Sequence, residues 1–209
     1  MSSEDLKSFI KAAYLLQLRH GPFTKQEFEI SAGRSELQHL LNLGYLTKDE
    51  SGDLHYSLTD KGRSQIKVIL AGGVYDVLHL GHLAALSEAK SLGDVLVAVV
   101  ATDVTVEVLK GRKPLYPEND RRALVEGLKP VDKAILGYED VGFGFEQVLM
   151  EVMPNIVAFG YDQEKLENTV REIIERHKLQ IQIVKLSKFD HEKYASSSSL
   201  RQKLSEELR

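Results

Sequence analysis

The stretch Ala71-Gly72-Gly73-Val74-Tyr75-Asp76-Val77-Leu78-His79-Leu80-Gly81-His82, AGGVYDVLHLGH, stands between an apolar run and a segment of helical spacing. A strand therefore hands over to a helix here, and two imidazoles flank a glycine at the junction. Gly72 and Gly73 let the chain turn tightly, and Gly81 lets a ligand come close to the helix start. A helix N-terminus offers unpaired N–H groups and the positive end of a dipole, which together make an anion site. His79 and His82 can add hydrogen bonds to phosphate oxygens at that point. Donors aimed at charge that builds up around phosphorus lower a barrier without forming a covalent bond.

Other readings of the same residues are weaker. Zinc needs at least one more ligand than His-x-x-His with the nearby Asp76 supplies. Isolated core histidines are common, but not a pair around a glycine at a strand-to-helix junction. A dinucleotide fingerprint fails because G-x-G-x-x-G is absent. Gly142-Phe143-Gly144 precedes a helix with no strong strand before it and reads as a loop.

Outward from this stretch, residues 67–209 alternate short β-branched runs with amphipathic segments. Strands are expected at Val68–Ala71, Val95–Ala101, Ala134–Leu136, Ile156–Phe159 and Ile181–Val184. Helices are expected at His82–Ser91, Glu118–Leu128, Phe145–Val152, Lys165–Lys178 and Ser198–Leu208. Continuous apolar strands separated by helices imply an α/β fold with a parallel sheet covered on both faces. Ligands of such sheets bind at the carboxyl ends of the strands, where strand order reverses.

Residues 1–65 have a different grammar. Leu6, Phe9, Ile10, Ala13 and Leu16 recur at helical spacing up to Gly21-Pro22. Thr24 with Glu27 and Ser35 with Gln38 read as starts of two further helices. Tyr45–Thr47 and Leu54–Leu58 flank a polar turn, a hairpin signal. This order of three helices and a hairpin resembles a winged helix-turn-helix domain. Residues 1–66 carry eight Lys/Arg against nine Asp/Glu. Phosphate neutralisation dominates DNA affinity, so a packing or dimerisation module is expected over a DNA reader.

The whole chain has 209 residues, a net charge of -4 and no cysteine, which excludes thiol nucleophiles, thiolate metal sites and disulfides. No membrane-spanning run or signal peptide is evident, so the expected compartment is the cytoplasm.

The opening stretch resembles the signature of the nucleotidylyltransferases, G-x-[FY]-D-x-x-H-x-G-H, at every motif position. KSLGDVLVAVVATD (90–103), KGRKPLYPENDRRALVEGLKPVDKAILG (110–137), PNIVAFGYDQ (154–163) and ASSSSLR (195–201) resemble the family's later segments. Within it, KGRKP, LKPVDKAILG and GYDQ are most similar to the archaeal FAD synthases. The resemblance covers residues 67–209 and implies a Rossmann-like parallel sheet and transfer of AMP from ATP to FMN, with Mg²⁺ or another divalent cation.

It also implies site residues. Val74, Tyr75 and His79 through His82, including Leu80 and Gly81, match the nucleotide and phosphate signature. Lys110 matches a basic residue near the phosphates, with a solvated loop lysine as the alternative. Arg121 matches a catalytic arginine, with Arg122 as competitor. Asp162 matches a nucleoside contact. Ser197, Ser198 and Arg201 resemble a serine-threonine-basic motif, in which Lys203 competes with Arg201. Lys129-Pro130 stand where the cytidylyltransferase form has Arg-Tyr, which favours ATP over CTP. Glycerol-3-phosphate cytidylyltransferase and a nucleotide-sensing winged-helix regulator remain as alternatives.

Overall fold

The computed structural model describes residues 2–33, 36–49, 54–140 and 144–188, without the side chain of Arg19. It divides into two compact units between Lys67 and Val68.

In the first unit, helix α1 (Ser3–His20) starts at a capping box. Ser2 Oγ accepts from the Asp5 amide at 3.1 Å, and the Asp5 carboxylate accepts from the Ser2 amide at 3.2 Å. Gly21, at φ +78°, ends it. Strand β1 (Phe23–Thr24) leads into α2 (Lys25–Ala32), capped by Thr24 and Glu27 and stopped by left-handed Gly33. Helix α3 (Leu37–Asn42) has Glu36, not Ser35, at its cap position and no side-chain cap, and Ser35 lies outside the described residues. Strands β2 (Leu46–Asp49) and β3 (His55–Leu58) pair antiparallel, and β1 adds to the other edge of β3. A short helix α4 (Asp60–Arg63), capped by Thr59, follows β3. Phe23 stacks on Phe28 at 5.8 Å, and Phe9, Ile10, Leu37, Leu40 and Leu46 are buried.

The second unit runs β4 (Val68–Gly73), α5 (Leu80–Ser91), β5 (Val95–Val100), α6 (Asp103–Lys110), α7 (Glu118–Glu126), β6 (Lys133–Leu136), α8 (Gly144–Val152), β7 (Ile156–Phe159), α9 (Glu164–His177) and β8 (Gln182–Lys185). The five strands are all parallel, in the order β6-β5-β4-β7-β8. Order reverses between β4 and β7, which makes their carboxyl ends the expected crevice.

Every residue of β5 is buried, as are Val68 to Ala71 of β4 and all of β7. Alternate side chains serve opposite faces. Ile69, Ala71, Leu96, Ala98 and Val100 form one core with Leu86 and Ala89 of α5 and Val125 of α7. On the other pleat Leu70, Val97, Val99 and Phe159 are buried, as are Leu149 of α8 and Ile173 of α9. Helix α6 was not anticipated. Its sequence DVTVEVLK alternates valines like a strand, yet the Thr102 hydroxyl caps it by accepting from Thr105 N–H at 3.2 Å. Gly144 belongs to α8, and residues 141–143 of the expected loop lie outside the described ones.

Asp132 holds the amino-terminal side of the sheet. Its carboxylate accepts from Leu96 N–H at 2.7 Å and from Lys90 Nζ at 2.5 Å, and its own N–H donates to Leu96 O. Asp132→Ala strands the Leu96 N–H and takes the counter-charge from the half-buried Lys90 ammonium, which keeps its bond to Asp94 O at 2.6 Å. It should cost about 2–4 kcal/mol, read as a lower urea midpoint at unchanged slope. A loss under about 0.5 kcal/mol, the range of ordinary surface changes, would contradict this role.

Candidate active site

A cavity of about 560 Å³ opens at the reversal of strand order. Its walls include Gly72 and Gly73 from β4, Gly160 to Gln163 after β7, His79, Gly81 and His82 at the head of α5, and Lys110 and Arg112. This is ordinary volume for a small-molecule site.

The turn between β4 and α5 is fixed by packing. Tyr75 is buried and sits at φ +53°, a left-handed conformation that L residues other than glycine seldom adopt. Its ring lies over Gly73, where an added Cβ would meet the ring's ζ carbon at 2.7 Å. Only glycine fits beneath it. The edge of the Tyr75 ring meets His82 at 5.3 Å, and His82 stacks on His79 at 3.9 Å between centroids.

His79 is the N-cap of α5. It is extended, and its Nδ1 accepts from the Gly81 N–H at 3.1 Å. An imidazole nitrogen that accepts carries no proton. The neutral ring therefore has its N–H at Nε2, free of the cap. His82 differs: its Nδ1 is buried with no hydrogen-bond partner among the described residues. Burial, and after it repulsion from His79, lowers the His82 pKa to about 4, and burial lowers that of His79. Both rings are neutral donors at neutral pH, beside the positive end of a twelve-residue helix.

Two further charges frame the turn. Asp76 is buried and accepts from Leu115 N–H at 2.5 Å and Arg112 Nη1 at 3.2 Å. Arg121 is fully buried. It donates to Val74 O at 2.5 Å, to Asp103 Oδ1 at 2.6 Å and to Tyr116 O at 2.9 Å. Together they tie residues 112–116 to the motif.

Of the expected residues, Val74, Tyr75, His79, Gly81, His82, Lys110 and Asp162 line the cavity. Leu80 is half exposed at the first turn of α5 and is not part of the lining. Arg121 lies beneath the site, each of its three nitrogens bonded to a protein oxygen, so it holds the turn and is not part of the lining. Arg122 pairs with Glu126 at 2.7 Å, outside the lining. Ser197, Ser198, Arg201 and Lys203 lie outside the described residues. The sequence reading missed Arg112 and Gln163. The loop's Lys-Gly-Arg spacing and the residue after Gly160-Tyr161-Asp162 were the available signals.

No cluster of three His, Asp or Glu side chains able to hold a metal occurs among the described residues.

The depressed His82 pKa has a pH signature. Between about pH 6.5 and 4 the unfolded chain takes up a proton that the folded chain refuses, so stability is intact above 6.5 and falls on acidification. His82→Gln removes this liability. From pH 6.5 to 4.5 its unfolding free energy should drop less than that of the unaltered chain, by about 2 kcal/mol. Parallel pH profiles of the two chains in urea titrations would rule out the buried neutral imidazole.

Residues 70–203 match the family model described as cytidylyltransferase-like. Over 138 residues the chain is 44% identical to the FAD synthase of Thermoplasma acidophilum, spanning 66% of this chain and 94% of that one. It is 42% identical over 139 residues to the FAD synthase of Methanocella paludicola, spanning 66% and 96%. A crystal structure from Thermoplasma volcanium, described as a lipopolysaccharide core biosynthesis protein, has TM-score 0.55 at 42% identity, over 60% of this chain and 99% of that one. A pantoate-beta-alanine ligase from Francisella tularensis, 12% identical with TM-score 0.50 over 66% of each chain, shares the fold alone. With a parallel α/β sheet, the signature turn at its crevice and these relatives, the chain belongs to the cytidylyltransferase-like nucleotidylyltransferases and, among them, to the FAD synthases.

Proposed function

We propose that the chain transfers AMP from ATP to the phosphate of FMN. The observation that carries this reading is the stacked pair of neutral histidines at the head of α5, opening into the crevice between β4 and β7. An FMN phosphate oxygen attacks the α-phosphorus in line, the bond to the β-phosphate bridging oxygen breaks, and pyrophosphate leaves. The nucleophile is already anionic, so no general base is needed. Alignment and charge stabilisation supply the rate.

In this reading His79 donates from Nε2 to a phosphate oxygen while Nδ1 keeps the helix capped. His82, with its buried unpaired nitrogen, is the second phosphate contact. Backbone N–H groups of the first turn, at Leu80 and Gly81, add to the anion site. Lys110 and Arg112 offset charge on the departing pyrophosphate, and Arg121 keeps the turn in register. Val74 and Tyr75 shape the floor, and Asp162 contacts the nucleoside at the rim. Ser197, Ser198 and Arg201 are assigned the outer phosphates by motif alone. A divalent cation bound with ATP beside Lys110 and Arg112 would supply further neutralisation of phosphate charge. The first unit, with its slight acidic excess, is assigned packing or dimerisation rather than DNA binding.

The test is pyrophosphate release with ATP or CTP against FMN or glycerol 3-phosphate. ATP should outperform CTP by at least about tenfold, since a buried polar group left unpaired by the wrong base costs roughly 1–3 kcal/mol. CDP-glycerol formed as fast as FAD would sink the FMN assignment and leave nucleotidyl transfer standing. His79→Ala and His82→Ala should each lower kcat by about a hundredfold, the scale of one lost transition-state donor. Near-normal turnover in the double variant would remove both from the mechanism.

A further inference from the structure

The ladder between β4 and β7 stops at Ala71 opposite Ala158, although β4 runs on to Gly73 and β7 to Phe159. The groups that would make the next rung can be identified. Gly73 O accepts from Ala101 N–H on the β5 side, and Phe159 O accepts from Leu186 N–H on the β8 side. Strand groups alternate direction residue by residue, so Gly72 O and Gly160 N–H point at each other across the gap. They do not bond to one another. The Gln163 side chain lies between them, with Oε1 accepting from Gly160 N–H at 2.7 Å and Nε2 donating to Gly72 O at 2.9 Å. One side-chain amide stands in for a direct rung and satisfies both backbone groups where strand order reverses.

We infer that Gln163 is a positioning residue that sets the width of the nucleotide crevice. The inference rests on the proposed binding of ATP between these strand ends. Gln163 itself turns both polar ends to the backbone, so its effect on substrate passes through Gly72 and the Gly160–Asp162 loop, all of which line the cavity. Without the amide, Gly160 N–H and Gly72 O can pair directly and the crevice narrows by one rung.

Two variants of the full chain test this. In Gln163→Ala, a through-hydrogen-bond coupling between Gly160 N and the Gly72 carbonyl carbon should appear by NMR, and its absence overturns the spacer role whatever the substrate is. The KM for ATP should rise at least about tenfold while kcat changes less than about threefold, the mark of a lost binding geometry and not of lost chemistry. Gln163→Glu provides a second arm if the alanine variant does not fold. A protonated carboxyl can donate to Gly72 O and accept from Gly160 N–H as the amide does, whereas a carboxylate can only accept. Above about pH 5, where an ordinary glutamate is ionised, its KM for ATP should therefore stand at least about tenfold above that of the unaltered chain. A ratio near one overturns the inference. If the unaltered chain makes no FAD, the functional reading falls instead, and the NMR coupling still decides the spacer.

Discussion

Everything at the crevice depends on two opposite charges taken out of water on either side of one turn. Asp76 and Arg121 do not pair with each other. Asp76 gathers Leu115 N–H and Arg112, while Arg121 gathers Val74 O, Tyr116 O and Asp103. Each buried charge is expensive unless its hydrogen-bonding capacity is filled. The chain fills it with the backbone of the basic loop and of the signature turn. Rigidity at the histidines is thus secured by Arg121 from beneath and by Asp76 and Arg112 at the cavity wall. Tyr75 can then occupy a left-handed conformation, because Val74 O on one side and Asp76 on the other leave the turn no easier course.

The rest of the site is built on that frame by contact. The Tyr75 ring covers Gly73 and sets the edge against which His82 rests, and His82 supports His79. Cation and imidazole are kept in separate roles. Fixed positive charge comes from Lys110 and Arg112 on another wall, while the histidines stay neutral donors because burial penalises their charged forms. Neutral rings can stack face to face without repulsion, so a tight pair of donors fits one helix terminus.

Much of this was legible in the sequence. The five strands lie within two residues of their expected limits, since buried parallel strands read as unbroken β-branched runs. The glycines and histidines of residues 71–82 mark the turn, but its left-handed residue is Tyr75, and Gly73 is required by the Tyr75 ring above it rather than by its own backbone angles. Helix α6 was hidden, since its valines fit a strand template and three apolar side chains, Val104, Val108 and Leu109, stay exposed. Arg121 and Arg122 are neighbours of one type, and only the rotation of α7 sends the first inward and the second to Glu126. Gln163 was invisible for another reason: its partners are main-chain atoms, one of them 91 residues away at Gly72, and no periodicity encodes them.

His79 spends one lone pair on the structure of the helix it begins. That nitrogen is also the only basic atom of the neutral ring, so a proton and the Gly81 N–H compete for the same site. Acid therefore does more than alter the charge of the imidazole. It expels a cap, frees an amide of the first turn, and converts an acceptor that faced the backbone into a second donor that repels it. Protonation of His79 and the fraying of the first turn of α5 become a single event, set by one atom.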